Sequence, residues 1–211
     1  MNPFEISVQR FDEFADQYAN RFMNVADYAE SLAVFCNIAL PRPGILDLAC
    51  GPGNYTMYLK NQFPESRIIG IDLAPKMLEI AKNKLPEADF LLMDIKEVAK
   101  LTENFDLIIC SFGLPFLSKQ ESAKLILDCS GKLNAKGRLY LSTMEGEESK
   151  AGFEPTSFSG SSEIYFNYHL SKDIENTLKA GGLDVIQARK QDYFEPDGTK
   201  STDLLFVAEK P

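Results

Sequence analysis

The chain has 211 residues and a formal net charge of −9, since 22 Lys and Arg stand against 31 Asp and Glu. Hydrophobic residues make up 45% of the sequence and charged residues 25%, a composition that excludes disordered and fibrous proteins. The acidic balance disfavours a non-specific nucleic-acid or anionic-membrane surface, and a chain of this length can fold as one domain without disulfide or metal staples.

The termini and cysteines predict a cytoplasmic protein. Residues 1–15 lack a basic start followed by an apolar run, so no secretory signal is predicted, and no apolar run is long enough to span a membrane. The cysteines show no two-residue metal spacing and are expected to be reduced thiols, and a single histidine makes a zinc site improbable. They are Cys36, Cys50, Cys110 and Cys129.

The first two-thirds of the chain alternates helical and strand patterns. Residues 11–40 have helical periodicity, and residues 45–49 form a short apolar run that ends at the turn Gly51-Pro52-Gly53. The elements predicted after this turn are helices at 54–63, 75–85 and 119–133, and strands at 67–72, 90–94, 105–111 and 138–143. Such alternation predicts a parallel sheet with helices on both faces.

The C-terminal part is organised differently. Residues 145–160 are rich in Gly, Ser and Glu and show no period, so we interpret them as a mobile loop. A helix is predicted at 171–180, followed by strands at 183–193 and 204–209 with a turn at 195–198. Because no helix separates these two strands, they should pair antiparallel.

The turn after the first strand is the first candidate binding site. Its glycines allow a ligand to approach the backbone, although a plain tight turn would also use them. A dinucleotide-binding turn has a third glycine, whereas this chain has Thr56 there, and no Lys or Arg lies between Arg42 and Lys60. Asp47 disfavours a phosphate beside the turn and favours a cofactor with an amine and a sulfonium.

Two further aspartates close the next two strands. Asp72 can accept hydrogen bonds from both hydroxyls of a ribose, although it would also suit the N-terminus of the following helix. Asp94 can accept a hydrogen bond from an adenine amine, with Leu73 and Ile95 as apolar plates for the ring. Together with Asp47, these residues form a regular series of strand-end carboxylates that points to an adenosyl cofactor.

Five segments together resemble the successive motifs of class I S-adenosylmethionine-dependent methyltransferases. They are Ile45–Gly53, Ile69–Met77, Met93–Asp94, Phe105–Ser111 and Leu133–Arg138. The resemblance implies an α/β fold with a Rossmann-like, seven-stranded, mostly parallel sheet, helices on both faces and the last strand antiparallel. It also implies S-adenosyl-L-methionine as the cofactor.

The resemblance further implies which residues contact this cofactor. The methionine part is assigned to Asp47, Ala49, Gly51 and Gly53. The adenosyl part is assigned to Asp72, Leu73, Met77, Asp94 and Ile95, and the floor near the methyl group to Cys110 and Ser111. Ala49 departs from the glycine that is frequent in the family, and we expect this small side chain to be compatible with binding.

The residues after the fourth strand argue against DNA as the acceptor. Ser111-Phe112-Gly113 replaces the polar-proline-proline-aromatic motif of enzymes that methylate base amines, and Cys110 lacks the preceding proline of a cytosine-directed nucleophile. Metal-dependent relatives have acidic ligands after the fourth and fifth strands, where this chain offers Ser111 and only Glu145, so no metal is predicted. A small-molecule acceptor is therefore expected.

The expected organisation is a helical lid at 1–40, a cofactor-binding half at 41–144, and a substrate-side loop and hairpin at 145–211. Four residues are candidates for the lid and the acceptor pocket: Tyr18, Phe22, Phe112 and Tyr168. Core packing is the alternative for Tyr18, Phe22 and Tyr168. His169 is a candidate general base, or a structural histidine beside Ser171 as a helix N-cap.

The resulting hypothesis is methyl transfer to an O, N or S atom of a small molecule by in-line displacement. The alternatives are a tRNA or protein methyltransferase and a non-catalytic protein that binds S-adenosylmethionine. A nicotinamide oxidoreductase is disfavoured by the missing third glycine and by Asp47. The sequence favours no particular acceptor and no oligomeric state.

Overall fold

The strands lie in one large sheet and one two-stranded ribbon. The computed structural model describes residues 2–156, 158–159, 162–194 and 200–211. The strands are β1 Ile45–Leu48, β2 Ile68–Asp72, β3 Asp89–Leu92, β4 Phe105–Ser111, β5 Leu133–Met144, β6 Gly152–Pro155, β7 Glu163–Phe166, β8 Asp184–Phe194 and β9 Lys200–Glu209. The large sheet has the order β3-β2-β1-β4-β5-β9-β8. Its first five strands are parallel, and β9 is antiparallel to both β5 and β8. The predicted seven-stranded sheet with an antiparallel last strand is confirmed.

The helices surround this sheet. They are α1 Pro3–Glu13, α2 Ala15–Phe22, α3 Ala29–Cys36, α4 Asn54–Gln62, α5 Pro75–Lys84, α6 Lys119–Lys132 and α7 Ser171–Ala180. Local sequence explains several starts: Ser118 and Glu121 form a capping box before α6, and α5 has proline in its first turn. No helix in the described ranges is long and apolar enough to cross a bilayer.

The N-terminal region differs from the helical stretch predicted at 11–40. The first helix begins at Pro3, because Asn2 and Glu5 form a capping box. The helical run is then interrupted between α2 and α3, where the Asn24 side chain accepts a hydrogen bond from the Ala26 backbone. Such local side-chain bonds compete with helix continuation.

The segment 145–160, predicted to be a mobile loop, contains secondary structure that the sequence did not indicate, and its residues 157 and 160 lie outside the described residues. Residues Glu148–Lys150 form a 3-10 turn, and β6 pairs antiparallel with β7. A four-residue strand carries too short a pattern to be seen locally, and its partner lies several residues beyond the segment. The turn predicted at 195–198 lies outside the described residues, although the strands on either side of it pair antiparallel as predicted.

Two hydrophobic clusters cover the two faces of the sheet. On one face, Phe35 of α3 and Leu59 of α4 pack with Tyr140 of β5. On the other face, residues of α6 and α7, such as Ile126 and Leu178, belong to a second cluster. Both faces of the central strands are therefore buried, and their carboxyl ends meet at one edge that the helices leave accessible.

Candidate active site

A cavity of about 90 Å³ lies at the carboxyl edge of β1, β2 and β4, and α1 covers it. We call it the cofactor cavity. Most of the predicted cofactor residues line it: Ala49, Gly51, Asp72, Leu73, Met77, Asp94, Ile95 and Ser111. The predicted residues Asp47, Gly53 and Cys110 do not line it; Asp47 and Cys110 are buried beneath the turn.

The turn that follows β1 is built from left-handed backbone. Ala49, Gly51 and Gly53 have φ angles of 55°, 53° and 83°. A Cβ atom added to Gly53 would lie 3.3 Å from the Cβ of Ala81 in α5, so this glycine permits close helix packing rather than contact with a ligand. Ala49 adopts a conformation that L residues occupy at a cost of about 1–2 kcal/mol.

The Asp72 side chain, at the end of β2, is hydrogen-bonded to the turn after β1. Its Oδ2 accepts a hydrogen bond from the Gly51 backbone at 2.9 Å, and its Oδ1 accepts one from the Ala74 backbone at 2.8 Å. Burial raises the pKa of this carboxyl group, and the backbone donors oppose that rise. Ala74 is the N-cap of α5, so Asp72 both supports a helix start and faces the cavity.

Asp94 lies just beyond the last residue of β3, which is Leu92. Its Oδ1 accepts a hydrogen bond from the Lys96 backbone at 2.9 Å, which caps a short 3-10 helix. The Lys96 ammonium lies 3.6 Å from Asp94 Oδ2 and 4.5 Å from the ring centroid of Phe4 in α1. Lys96 therefore lies close to both the strand-end carboxylate and the helix that covers the cavity.

Asp47 is 1% exposed and supports the turn from below. Its Oδ2 accepts a hydrogen bond from the Thr56 hydroxyl at 2.6 Å. Thr56 is the residue that replaces the third glycine of a dinucleotide turn, and the sequence analysis did not pair it with Asp47. Burial raises the pKa of Asp47 to about 7, and the Thr56 hydrogen bond opposes that rise.

The N-terminal helices supply the roof of the cofactor cavity. Tyr18 of α2 lines it, and burial together with Asp72 raises the pKa of its hydroxyl to about 12. Phe4, Ser7 and Val8 of α1 also line it, and the sequence analysis missed these three. The capping box that starts α1 was a local signal for this helix, although it could not show where the helix packs.

A second cavity of about 210 Å³ adjoins the first, and we call it the acceptor cavity. The two share the lining residues Phe11, Tyr18, Phe112 and Phe116. Phe22 lines only the second cavity. The structure therefore brings together three of the four predicted lid and acceptor residues, namely Tyr18, Phe22 and Phe112.

Tyr168 and His169 line a separate cavity, which shares no described lining residue with the other two. The His169 Nε2 lies 3.0 Å from the Leu114 carbonyl, and burial lowers the histidine pKa. This geometry gives no support to His169 as a general base. The predicted N-cap is also wrong, because Leu170 precedes α7 without a side-chain cap and Ser171 donates to Glu175 instead.

The described residues contain no group of three or more His, Cys, Asp or Glu side chains placed to hold a metal ion. Asp72 and Asp94 at the cofactor cavity, and Asp47 beneath the turn, instead accept hydrogen bonds from backbone amides or hydroxyls. Carboxylates held in this way suit the recognition of hydroxyl and amine donors on an organic ligand.

Comparisons with known proteins identify the same segment. Residues 45–137 match a family model described as a methyltransferase domain. A malonyl-[acyl-carrier protein] O-methyltransferase from Anoxybacillus flavithermus is 36% identical over 143 residues, which are 66% of this chain and 52% of the relative. A demethylmenaquinone methyltransferase from Thermotoga maritima is 34% identical over 97 residues, which are 46% of this chain and 42% of the relative. The chain thus spans about half the length of these relatives, or less.

The fold is also found in a solved structure. Magnesium protoporphyrin IX methyltransferase from Synechocystis, with bound S-adenosylhomocysteine, superposes with a TM-score of 0.72 at 18% identity, and the match covers 100% of both chains. At this identity the similarity shows the fold. With its motif segment matched by sequence and its sheet matched in topology, the chain contains a methyltransferase domain at residues 45–137 and has the fold of S-adenosylmethionine-dependent methyltransferases.

Proposed function

We propose that the protein is an enzyme that binds S-adenosyl-L-methionine in the cofactor cavity and methylates a small molecule in the acceptor cavity. The observation that carries this proposal is the junction of the two cavities. Strand-end carboxylates and a glycine turn line one side, aromatic rings line the other, and Phe11, Tyr18, Phe112 and Phe116 belong to both.

The proposed roles in cofactor binding follow from the positions of the side chains. Asp72 accepts from the ribose hydroxyls and Asp94 from the adenine amine, while Leu73, Ile95 and Met77 contact the ring. The turn at Ala49 and Gly51, with Ser111, contacts the methionine part. Asp47, Gly53 and Cys110 act indirectly, by shaping the turn and the floor beneath it.

The cofactor supplies an electrophilic methyl group on a sulfonium. The protein's part in such a displacement is to align the acceptor and exclude water. The aromatic walls of the acceptor cavity and the roof formed by α1 and α2 are suited to both tasks. We propose one domain for residues 1–211, with the lid at 1–40, the cofactor half at 41–144 and the substrate side at 145–211.

Several observations favour this proposal over the alternatives. The net charge of −9 disfavours tRNA and DNA as acceptors. The relatives are named for different acceptors, so they support methyl transfer without selecting a substrate. The cysteines are free, which is consistent with the reducing cytoplasm as the proposed location.

Calorimetric titration tests the cofactor assignment. The ligands are S-adenosylmethionine, S-adenosylhomocysteine and NAD, and the variants are Asp72→Ala and the control Asp89→Ala, which removes an exposed acid from the start of β3. We expect S-adenosylhomocysteine to bind to the wild type and the control, and to bind at least about tenfold more weakly to Asp72→Ala. Binding of NAD instead of the sulfur ligands would overturn the proposal.

A second measurement separates an enzyme from a binding protein. The protein is incubated with S-adenosylmethionine carrying a labelled methyl group and with a panel of phenols, amines and thiols, and labelled product is measured. Transfer that is lost in Asp72→Ala supports the enzyme. Tight cofactor binding without transfer to any class of acceptor would favour the non-catalytic alternative.

A further inference from the structure

The acceptor cavity has mostly aromatic walls and one carboxylic acid among its described lining residues. Six Phe and four Tyr rings are among its described lining residues. Asp203 is the one described lining residue with an ionisable acid, and no described lining residue is Lys, Arg or His. The cavity therefore combines aromatic walls with a single carboxylate, which is 2% exposed.

The topology of the sheet places this carboxylate. Asp203 lies on β9, opposite Met144, the last residue of β5. Because β9 runs antiparallel, its N-terminal part reaches the carboxyl edge of the parallel strands, where the cofactor cavity also opens. Asp203 lines the acceptor cavity and does not line the cofactor cavity.

Asp203 accepts a hydrogen bond from a tyrosine of the N-terminal region. The Tyr28 hydroxyl donates a hydrogen bond to Asp203 Oδ2 at 2.9 Å, and donation to a carboxylate stabilises the anion. Burial and this carboxylate together raise the pKa of Tyr28 well above its usual range, so the hydroxyl keeps its proton. The Tyr28 ring also contacts Phe112, with centroids 5.5 Å apart, which connects Asp203 to the junction of the two cavities.

Such a cavity attracts cations and repels anions. The faces of aromatic rings carry negative electrostatic potential and bind ammonium groups, and a buried carboxylate adds a full charge of the same sign. An acidic ligand would be repelled by Asp203, and no Lys, Arg or His among the described lining residues would offset that repulsion. An amine on an apolar body would satisfy both the rings and the carboxylate.

We propose that the acceptor is an arylalkylamine in its protonated form, and that Asp203 determines specificity by binding its ammonium group. This inference rests on the proposed function, because it takes the second cavity as the acceptor site. A protonated amine has no lone pair, so the atom that is methylated is a different one, placed at the end of the molecule near Phe112 and Tyr18. For a phenol, the oxygen forms a bond to the methyl carbon as the carbon–sulfur bond breaks, and the phenolic proton passes to water.

Three phenols that differ at one end form a matched set of probes. Tyramine carries an ammonium group, tyrosol a neutral hydroxyl and 4-hydroxyphenylacetate a carboxylate. Each is titrated by calorimetry into the protein saturated with S-adenosylhomocysteine. We expect tyramine to bind at least about tenfold more tightly than 4-hydroxyphenylacetate, with tyrosol between them, as one charged hydrogen bond provides.

The variant Asp203→Asn tests the residue. We expect its affinity for tyramine to fall about tenfold while its affinity for tyrosol changes by less than about threefold. Asp192→Asn is the control, because Asp192 is a carboxylate on the neighbouring strand β8, bonded to Thr202 and Lys200 and absent from the described lining of the cavity. It should leave all three affinities unchanged.

The outcomes are distinguishable. Equal or tighter binding of 4-hydroxyphenylacetate to the wild type overturns the inference, and this comparison needs no variant should Asp203→Asn fail to fold. A folded Asp203→Asn that keeps the preference for tyramine also overturns it. If S-adenosylhomocysteine binds and none of the phenols does, this inference fails while the cofactor assignment stands. If S-adenosylhomocysteine does not bind, the proposed function fails first.

Discussion

Asp47 shows how a buried carboxyl group can support the turn after β1 without lining the cofactor cavity. It is enclosed beneath the turn and held by the Thr56 hydroxyl, and burial raises its pKa from the ordinary 3.8 to about 7. The folded state therefore retains a proton between about pH 4 and pH 7 that the unfolded state releases. The stability contributed by this group is full below about pH 4 and is lost as the pH rises through about 7.

Replacing Asp47 by Asn removes this dependence while keeping the shape of the side chain. We expect the free energy of unfolding of Asp47→Asn, relative to the wild type, to rise by about 1–4 kcal/mol between pH 5 and pH 8. Urea unfolding at the two pH values measures it, with Asp89→Asn as an exposed control. A difference that stays constant or falls with pH would contradict the assignment.

Alanine substitutions at Gly53 and Gly182 distinguish the cost of backbone strain from the cost of steric crowding. Both have left-handed backbone, with φ of 83° and 74°, but an added Cβ would lie 3.3 Å from Ala81 at Gly53 and would have no neighbour within 4 Å at Gly182. We expect Gly182→Ala to cost about 1 kcal/mol and Gly53→Ala about 1 kcal/mol more. Thermal or urea unfolding of both variants gives the comparison, and equal losses would show that the contact of α4 with α5 at this point tolerates a methyl group.

At the scale of elements, α1 is hydrogen-bonded to β7 and to the start of α5. The Tyr165 backbone of β7 donates to the Ser7 hydroxyl at 3.2 Å, and the Lys76 backbone at the start of α5 donates to Asp12 Oδ1 at 2.7 Å. The cofactor cavity beneath α1 measures about 90 Å³, whereas sites for ligands of drug size span about 300–1,000 Å³. We therefore expect α1 to move when the proposed cofactor binds.

Loosening α1 should speed this step. Asp12→Ala removes the hydrogen bond to α5, and we expect the association rate of S-adenosylhomocysteine to rise about two- to tenfold, as the loss of one hydrogen bond implies. Glu13→Ala, which changes the next residue and its exposed pair with Arg10, is the control. Stopped-flow mixing with calorimetric or fluorescence detection measures the association rates of the wild type and both variants. Unchanged association in Asp12→Ala would show that α1 does not gate the cavity.

Elements that depend on local interactions could be predicted from the sequence, and elements that depend on distant contacts could not. The strands β1, β2 and β4 and the helices α4 to α7 were predicted within a few residues, because their apolar patterns and caps are local. The same topology made Asp72 and Asp94 predictable at the site, since parallel strands end at one edge. The ribbon of β6 and β7, the packing of Phe4 and the location of His169 depend on contacts distant in sequence, which no local pattern specifies.

At the scale of the whole molecule, the lid and the sheet share a core. Phe35 and Leu32 of α3 are fully buried against Tyr140 and Leu205 of the sheet. The cofactor cavity in turn has walls from α1, α2 and the ends of three strands. A ligand bound there contacts both parts, so it should stabilise them together, and the proposed single domain should unfold in one transition.

Ligand-induced stabilisation tests this coupling. S-adenosylhomocysteine at about one hundred times its Kd should add about 2.7 kcal/mol to the free energy of unfolding, which raises the Tm of a chain of this size by roughly 5–11 °C. Calorimetric and circular-dichroism melts should give the same midpoint. At the same ligand concentration the shift should fall to about half or less in Asp72→Ala, and it should vanish with NAD as the ligand. Two transitions, of which only one moves, would show that the lid and the sheet fold separately. A single shifted transition would instead show that the energy of cofactor binding reaches α3 and β9, although neither has a described residue in the wall of the cofactor cavity.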